Sequence, residues 1–336
     1  MSRMVKRWYA GHPLVWLLSP LAILFWLLSA FRRFLFSTGL KKVYRGRAKV
    51  IVVGNISVGG NGKTPVVLAL AQYYREKGVR VGILSRGYGG KSSYYPRQVT
   101  ANDDASEVGD EPRLLAIRSQ VPVVIDPIRR RGADYLSSDL NCDLIICDDG
   151  LQHYALARDV EVVVMDERLT GSGFLIPMGP LREGHWRLAT VDAIVHNRAD
   201  NTLPDLTAGQ TPQYLMKLVA GELCSVTNPT EQAELTSLRS KNITAMAGIG
   251  APERFFSQLT SMGLNLSSTL PFPDHHQFTA DDIPSGMVLM TEKDAVKLSD
   301  IAHSDCWYLP VSASIDKKFF TQIDNKLVNA GLTMTP

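Results

Sequence analysis

A β-branched run that ends in a glycine-rich turn constrains this chain more than any other stretch: Val50-Ile-Val-Val-Gly-Asn-Ile-Ser-Val-Gly-Gly-Asn-Gly-Lys-Thr64. The run predicts a buried strand, and the pattern over residues 64–77 predicts a helix. Between them, Ser57, Val58, Gly59, Gly60, Asn61 and Gly62 form a loop whose backbone N–H groups can turn inward around a phosphate. Lys63 then reaches toward β- and γ-phosphates, Thr64 offers a hydroxyl to Mg²⁺, and the helix N-terminus adds its dipole at the same point. The loop departs from the G-x-x-x-x-G-K-[ST] pattern at its first position, where Ser57 stands in place of glycine. The competing reading is a plain strand-to-helix turn carrying a surface lysine.

A second signal fits the first. Cys142-Asp-Leu-Ile-Ile-Cys-Asp-Asp-Gly150 is an apolar strand that ends in Asp148 and Asp149. Strand-end carboxylates of this kind hold Mg²⁺ beside a phosphate loop. Further short apolar runs at residues 79–85, 121–125, 160–166 and 192–197 alternate with helical stretches. That alternation predicts a P-loop NTPase-like, doubly wound, mostly parallel α/β sheet. From about residue 204 the texture changes. A longer β segment is expected over 213–224, and a second, smaller α/β unit starts near residue 242. The expected division is 1–45 for an N-terminal hydrophobic helix, 46–212 for the nucleotide core, and 213–336 for a C-terminal subdomain closing over the cleft.

The N-terminus sets the location. Residues 13–31 carry no charge, and as one helix they would span about 27 Å, just short of a bilayer core of about 30 Å. Arg3, Lys6 and Arg7 precede the run; Arg32, Arg33, Lys41 and Lys42 follow it. Pro20 would kink it. A cleaved signal peptide would carry a nucleotide enzyme away from its nucleotide, and a full span has basic residues at both ends. A helix dipping into one leaflet, with its cations on anionic headgroups, fits better; a buried core helix is the bland alternative. Net charge of +3 over 336 residues gives no case for nucleic acid, and no protein partner is indicated. Cys142, Cys147, Cys224 and Cys306 lack C-x-x-C spacing and are expected as reduced thiols.

Several polar positions invite chemistry. Asp110, in Gly109-Asp-Glu-Pro112, reads either as a helix cap or as a carboxylate base aimed at a hydroxyl. Arg182 and Glu183 sit in a proline-bounded loop, where a cation can stabilise charge on a transferring phosphoryl group. Arg129, Arg130 and Arg131 oppose a helix dipole, so anion binding competes with a solvated face. His275 and His276 are adjacent and cannot easily chelate one metal. Lys293 reads as a surface lysine. Asn197-Arg-Ala-Asp200 is a weakened form of the guanine-reading Asn-Lys-x-Asp, which leaves a membrane-associated regulatory GTPase as an alternative; a non-enzymatic nucleotide-binding adaptor is a third.

In order along the chain, Gly54–Pro65, Ser85-Arg-Gly-Tyr-Gly89, Gly109-Asp-Glu-Pro112, Asp148-Asp-Gly-Leu-Gln-His153, Gly179-Pro-Leu-Arg-Glu183, Phe272-Pro-Asp-His-His276 and Thr291-Glu-Lys-Asp294 resemble the tetraacyldisaccharide 4′-kinase (lipid A 4′-kinase) family over essentially the whole length. The resemblance implies transfer of the ATP γ-phosphate to the 4′-hydroxyl of a tetraacylated glucosamine disaccharide 1-phosphate, at the cytoplasmic face of a bacterial inner membrane. It implies ATP and Mg²⁺ at Lys63, Thr64, Asp148 and Asp149. It implies Asp110 as base, helped by one of the two histidines with His275 preferred, and Arg182 and Glu183 in the active site. It implies that Arg129–Arg131 face the lipid phosphate. It also accounts for Ser57, because the family's loop is a Gly-Gly-x-Gly-Lys-Thr variant.

Overall fold

The computed structural model describes residues 8, 9, 12–198, 200, 202–206, 208–238 and 241–334. Arg3, Lys6, Arg7 and Ala199 lie outside the described residues. Fifteen strands among these residues form two sheets. The larger contains β1 (Lys49–Gly54), β2 (Val81–Ser85), β3 (Arg97–Val99), β4 (Val123–Ile125), β5 (Leu144–Asp148), β6 (Val160–Asp166), β7 (Ala193–Asn197), β8 (Gln213–Ala220) and β15 (Val311–Ile315). Its order is β15-β8-β7-β6-β1-β5-β2-β4-β3, parallel from β8 to β4 with an antiparallel strand at each edge. The central strands are apolar and buried along their length, as strands covered on both faces must be. On one face the helix Lys63–Glu76 seats Val66, Val67, Leu70, Ala71 and Tyr74 beside Phe319, Ile323 and Leu327 of the C-terminal helix Lys317–Asn329. The opposite face packs Leu84, Leu136, Leu151 and Leu188.

The smaller sheet contains β9 (Leu223–Ser225), β10 (Gln232–Ala233), β11 (Ile243–Ala247), β12 (Leu266–Pro271), β13 (Met287–Thr291) and β14 (Cys306–Leu309), in the order β10-β9-β14-β13-β11-β12. The expected division at residue 212 does not coincide with the division between sheets. β8 and β15, both beyond that point, pair with one another in the larger sheet. The β segment expected over 213–224 therefore splits: β8 stays with the nucleotide core, while β9 crosses to the smaller sheet. Gly221 and Glu222 between them let the strand direction break, and Pro310 does the same between β14 and β15.

The apolar N-terminal run is helical from Pro13 to Ser37, 25 residues with a mean hydropathy of 2.2 over its most apolar 18, long and apolar enough to cross a membrane. Pro20 does not kink an α-helix. Residues Pro13–Leu18 form a 3₁₀ turn, and Pro20 lies in the first turn of the α-helix Ser19–Ser37, where its missing N–H costs nothing. Leu17, Leu28, Phe31 and Leu21 point into solvent, so a buried core helix is ruled out. The run's contacts with the rest of the fold include Val15 and Ala22 on Met178, Trp16 edge-on to Phe174, Arg33 over Trp186 and Phe36 beside Tyr154; just before it, Trp8 Nε1 donates to Pro177 O at 2.9 Å.

β1 and β5 lie side by side with Val53 opposite Asp148. At the end of β1 the chain passes so close to the turn after β5 that a Cβ on Gly54 would stand 2.6 Å from Leu151 Cβ. Gly54→Ala is expected to cost about 1–3 kcal/mol, the usual price of overpacking. A melting temperature unchanged from wild type would contradict this close approach.

Candidate active site

The phosphate loop is shaped by two glycines in the left-handed region. Gly59 has φ +102° and Gly62, which caps the helix Lys63–Glu76, has φ +87°. A Cβ on Gly62 would stand 2.5 Å from Asn197 Nδ2, so the loop has no room for a side chain there. Ser57 is built into the loop: its hydroxyl accepts from Asn61 Nδ2 at 3.0 Å. Val58 N donates to Pro180 O at 2.8 Å and Arg182 N to Ile56 O at 2.7 Å, a short ladder that ties the loop bearing Arg182 and Glu183 to the phosphate loop.

The β1–β5 pairing delivers the strand-end acids to this point. Lys63 Nζ lies 3.6 Å from Asp149 Oδ1, and Arg182 Nη1 lies 3.1 Å from Asp149 Oδ2. Burial pushes the Asp149 carboxyl up, but the Lys63 and Arg182 charges outweigh it and the net shift is downward. Asp148 is buried, and its Oδ1 has no hydrogen-bond partner among the described residues. Burial, reinforced by the Glu111 charge, pushes its carboxyl up. Thr64 sits in the first turn of the helix, half-buried.

The second half of the site is assembled across the two sheets. Asp110 is the first residue of the helix Asp110–Ser119, capped by Gly109 at φ +93°, and is 5% exposed. His275, from the loop after β12, places Nδ1 at 3.0 Å from Asp110 Oδ2 and 3.1 Å from Oδ1. It does so in a left-handed backbone conformation, φ +60°, that a non-glycine residue adopts only when its surroundings hold it there. Tyr88 meets the His275 ring edge-on. A cavity of about 60 Å³ opens beside the pair, lined by Gly89, Asp104, Ser106, Phe278 and Lys297 among others. His276 turns away: it stacks on Phe272, meets Phe278 edge-on and lies 3.4 Å from Asp282. Of the two adjacent histidines, His275 is the one that meets Asp110.

A family model described as tetraacyldisaccharide-1-P 4′-kinase matches residues 14–328. The chain belongs to that family. Relatives named tetraacyldisaccharide 4′-kinase are 53% identical in Pseudoalteromonas atlantica, over 92% of this chain and 99% of the relative, and 46% identical in Haemophilus influenzae, over 92% and 91%. The crystal structure of "apo" form LpxK from Aquifex aeolicus in complex with ATP superposes with a TM-score of 0.80 at 29% identity, covering 93% of this chain and 99% of that one. Family membership overturns the GTPase alternative. The structure gives the Asn197-Arg-Ala-Asp200 residues other work: Arg198 pairs with Asp200, and Asn197 packs against the kinase family's phosphate loop, its Nδ2 3.4 Å from Asn61 O.

Other expectations change once contacts are visible. Arg129 does not face a ligand; it is buried and donates to Leu84 O at 3.1 Å and Asp148 O at 2.7 Å. Arg131 pairs with Asp126, and Arg130 lies over the Tyr44 ring. Glu183 is 3% exposed and accepts from Gln152 Nε2 at 3.0 Å and from the Tyr154 hydroxyl, with Arg187 at 3.6 Å. All four cysteines are free and buried. Sequence reasoning missed a brace on the other flank of the phosphate loop. Arg168, held by Asp166, donates to Gly60 O at 3.1 Å and Asn61 Oδ1 at 3.0 Å, and Arg254 of the smaller unit reaches Asp166 at 3.5 Å. The available signal was Asp166, a carboxylate at the end of the strand next to β1.

Burial would raise the Asp110 carboxyl, but the His275 hydrogen bond and the Lys293 charge bring it from 3.8 down to about 2. The Asp110 hydrogen bond raises His275 above its ordinary 6.5, against burial. Asp110 therefore adds stability that is present above pH 3.8 and lost as pH falls toward 2. His275 adds stability that is full below pH 6.5 and lost as pH rises through its higher folded value. The stability difference between wild type and His275→Gln is expected to be larger at about pH 5.5 than at about pH 9. Thermal unfolding at the two pH values measures it, and a pH-independent difference contradicts the pairing.

Proposed function

We propose that this chain carries out its family's reaction, moving the γ-phosphate of ATP to the 4′-hydroxyl of tetraacyldisaccharide 1-phosphate, with Asp110 as the residue that receives the hydroxyl proton. The observation that carries the reading is the Asp110–His275 pair, which lines a cavity and adjoins the phosphate loop at Gly250, where a Cβ would stand 3.2 Å from Gly60 N and 3.4 Å from Asp274 Oδ2. The acceptor oxygen forms a bond to Pγ, the bond from Pγ to the β-phosphate bridging oxygen breaks, ADP leaves, and the proton passes to Asp110 Oδ. A carboxylate with so low a proton affinity is a weak base. It serves a loose transition state, where orienting the hydroxyl counts for more than basicity. His275 fixes the carboxylate and accommodates the proton's charge. Loop N–H groups and Lys63 hold the β- and γ-phosphates, and Arg182, released from Asp149, supplies a cation for charge on the moving group.

The residues present fit a divalent cation: Asp148 Oδ1 is buried and without a partner among the described residues, and Thr64 is the second residue of the helix after the loop. Mg²⁺ is ordinarily held by one or two carboxylates together with substrate phosphates. Bound by Asp148, Asp149 and Thr64, it would neutralise charge on the β- and γ-phosphate oxygens. Glu183 supports the site from behind, orienting Gln152 and Tyr154 in the turn after the strand-end acids.

The exposed apolar helix suits an enzyme whose acceptor carries acyl chains. We place it at the cytoplasmic face of the inner membrane, where ATP is available, with the helix Ser19–Ser37 in the bilayer and Arg32 and Arg33 among headgroups. Met178 packs on Ala22 of that helix, and Pro177 and Phe174 meet Trp8 and Trp16 just before it, which supports a lipid surface next to the loop that carries Arg182.

Incubation with ATP, Mg²⁺ and the disaccharide 1-phosphate lipid should yield a lipid with a second phosphate. Asp110→Asn should keep ATP affinity and lower turnover by about 10²-fold or more, whereas Lys63→Ala should weaken ATP use itself. Near wild-type turnover in Asp110→Asn would remove it as the proton acceptor. Separately, deleting residues 1–37 should move the protein from the membrane pellet to the soluble fraction, and an undiminished pellet would refute the anchor.

A further inference from the structure

Lys293 has no local reason to be where it is. It is the second residue of the helix Glu292–Leu298, where a cation opposes the helix dipole, and its side chain is 16% exposed. The helix already has its cap in Thr291, whose hydroxyl accepts from Asp294 N. Instead Lys293 Nζ lies 2.9 Å from Glu111 Oε1, 3.3 Å from Asp274 Oδ1 and 3.7 Å from Asp110 Oδ2. Two of these carboxylates belong to the larger unit, and the third precedes His275 in the smaller one.

We propose that Lys293 is a positioning residue for phosphoryl transfer: by drawing Asp110, Glu111 and Asp274 around one ammonium, it keeps the Asp110 carboxylate ionised and fixed against His275. This rests on Asp110 as the proton acceptor. Asp110 is buried and its neighbour Glu111 is partly exposed, and without a cation between them their charges repel, which raises the proton affinity of Asp110. The His275 hydrogen bond and Lys297 also favour the ionised carboxyl, while Asp104 across the cavity adds negative charge. Lys297 is itself held by Asp294 at 2.8 Å, whereas Lys293 meets Glu111, Asp274 and Asp110 at once. Burial would lower the Lys293 ammonium, but the Glu111, Asp110 and Asp274 charges outweigh it and hold it charged through neutral pH. Lys293 also depresses His275, so the pair stays ready to accept a proton at lower pH than it otherwise would.

The same helix pair has other fastenings. Arg118 Nη1 meets the Glu292 carboxylate at 2.6 Å, and Arg113 Nη2 donates to Ser299 Oγ at 3.3 Å. They lie further along the helices from Asp110, so the two units remain docked when Lys293 is changed.

The test is the pH dependence of kcat/KM for the lipid acceptor. Lys293→Met should shift the acid limb up by about one pH unit or more and lower kcat at neutral pH by at least about tenfold, with KM for ATP within about twofold. Lys293→Arg should leave the limb at its wild-type position. Should the Met variant not fold, Lys293→Gln, which retains a donor for Glu111 without the charge, is expected to give the same shift. An unmoved acid limb in the uncharged variant overturns the proposal, even where activity falls, because a merely structural lysine would lower rates without moving the limb. Asp110→Asn separates the two ideas. Retained turnover there defeats Asp110 as proton acceptor, whereas lost turnover with an unmoved limb in Lys293→Met defeats Lys293 alone.

Discussion

The parallel pairing of β1 with β5, Val53 opposite Asp148, is the contact on which the rest of the site depends. In a parallel sheet both strands end at the same edge, so the turn after one and the acids closing the other must meet. Here that edge carries Lys63 and Asp149 at 3.6 Å, and a close approach that leaves Gly54 no room for a Cβ. The flanking strands add to the same edge: β6 ends in Asp166, which holds Arg168 against the loop, and β7 ends in Asn197, which packs on Gly62. The phosphate loop is therefore not a free turn. It is braced by side chains from three neighbouring strand ends and by the ladder to residues 180–182.

The acceptor chemistry comes from a different kind of contact. Asp110 belongs to the larger unit, but His275 and Lys293 both belong to the smaller one, and the helices Asp110–Ser119 and Glu292–Leu298 carry the seam between them. A cluster of three carboxylates and one ammonium, mostly out of water, gains far more from each charge pairing than a surface pair would. It also makes the ionisation of Asp110, the proposed proton acceptor, depend on the position of the smaller unit.

How much of this was legible in the sequence follows from the range of each interaction. The phosphate loop, the strand-end acids and the alternation that gives a doubly wound sheet are local patterns, and the residues that carry them stand where the patterns put them. Family motifs extended that reading to Asp110 and His275, which are paired although far apart in the chain. What escaped were side chains whose meaning lies in a distant partner. Lys293 reads as a surface lysine because Glu111 is 182 positions away. Arg129 and Arg131 read as an anion site because neither Asp148 O nor the compact Asp126 turn shows in an arginine run. The pairing of β8 with the edge strand β15 escaped for a similar reason: it joins segments with the whole smaller sheet between them.

The apolar N-terminus meets this chemistry at the loop of residues 174–186, as well as at Tyr154 and Arg168. Residues 174–186 receive Trp8, Trp16 and Met178's apolar neighbours on one side, and Arg33 lies over Trp186. On the other side the same loop forms the ladder with Ile56, Ser57 and Val58 and carries Arg182 to Asp149. An acylated acceptor poses a physical problem: its chains must stay in lipid while its hydroxyl meets a water-soluble nucleotide. A loop fastened to the apolar helix on one face and to the phosphate loop on the other would, with that helix in a bilayer as proposed, fix the distance between those two environments. The depth of the helix would then set where along the bilayer normal the γ-phosphate is presented, and the acceptor hydroxyl would not need to leave the headgroup region to reach it.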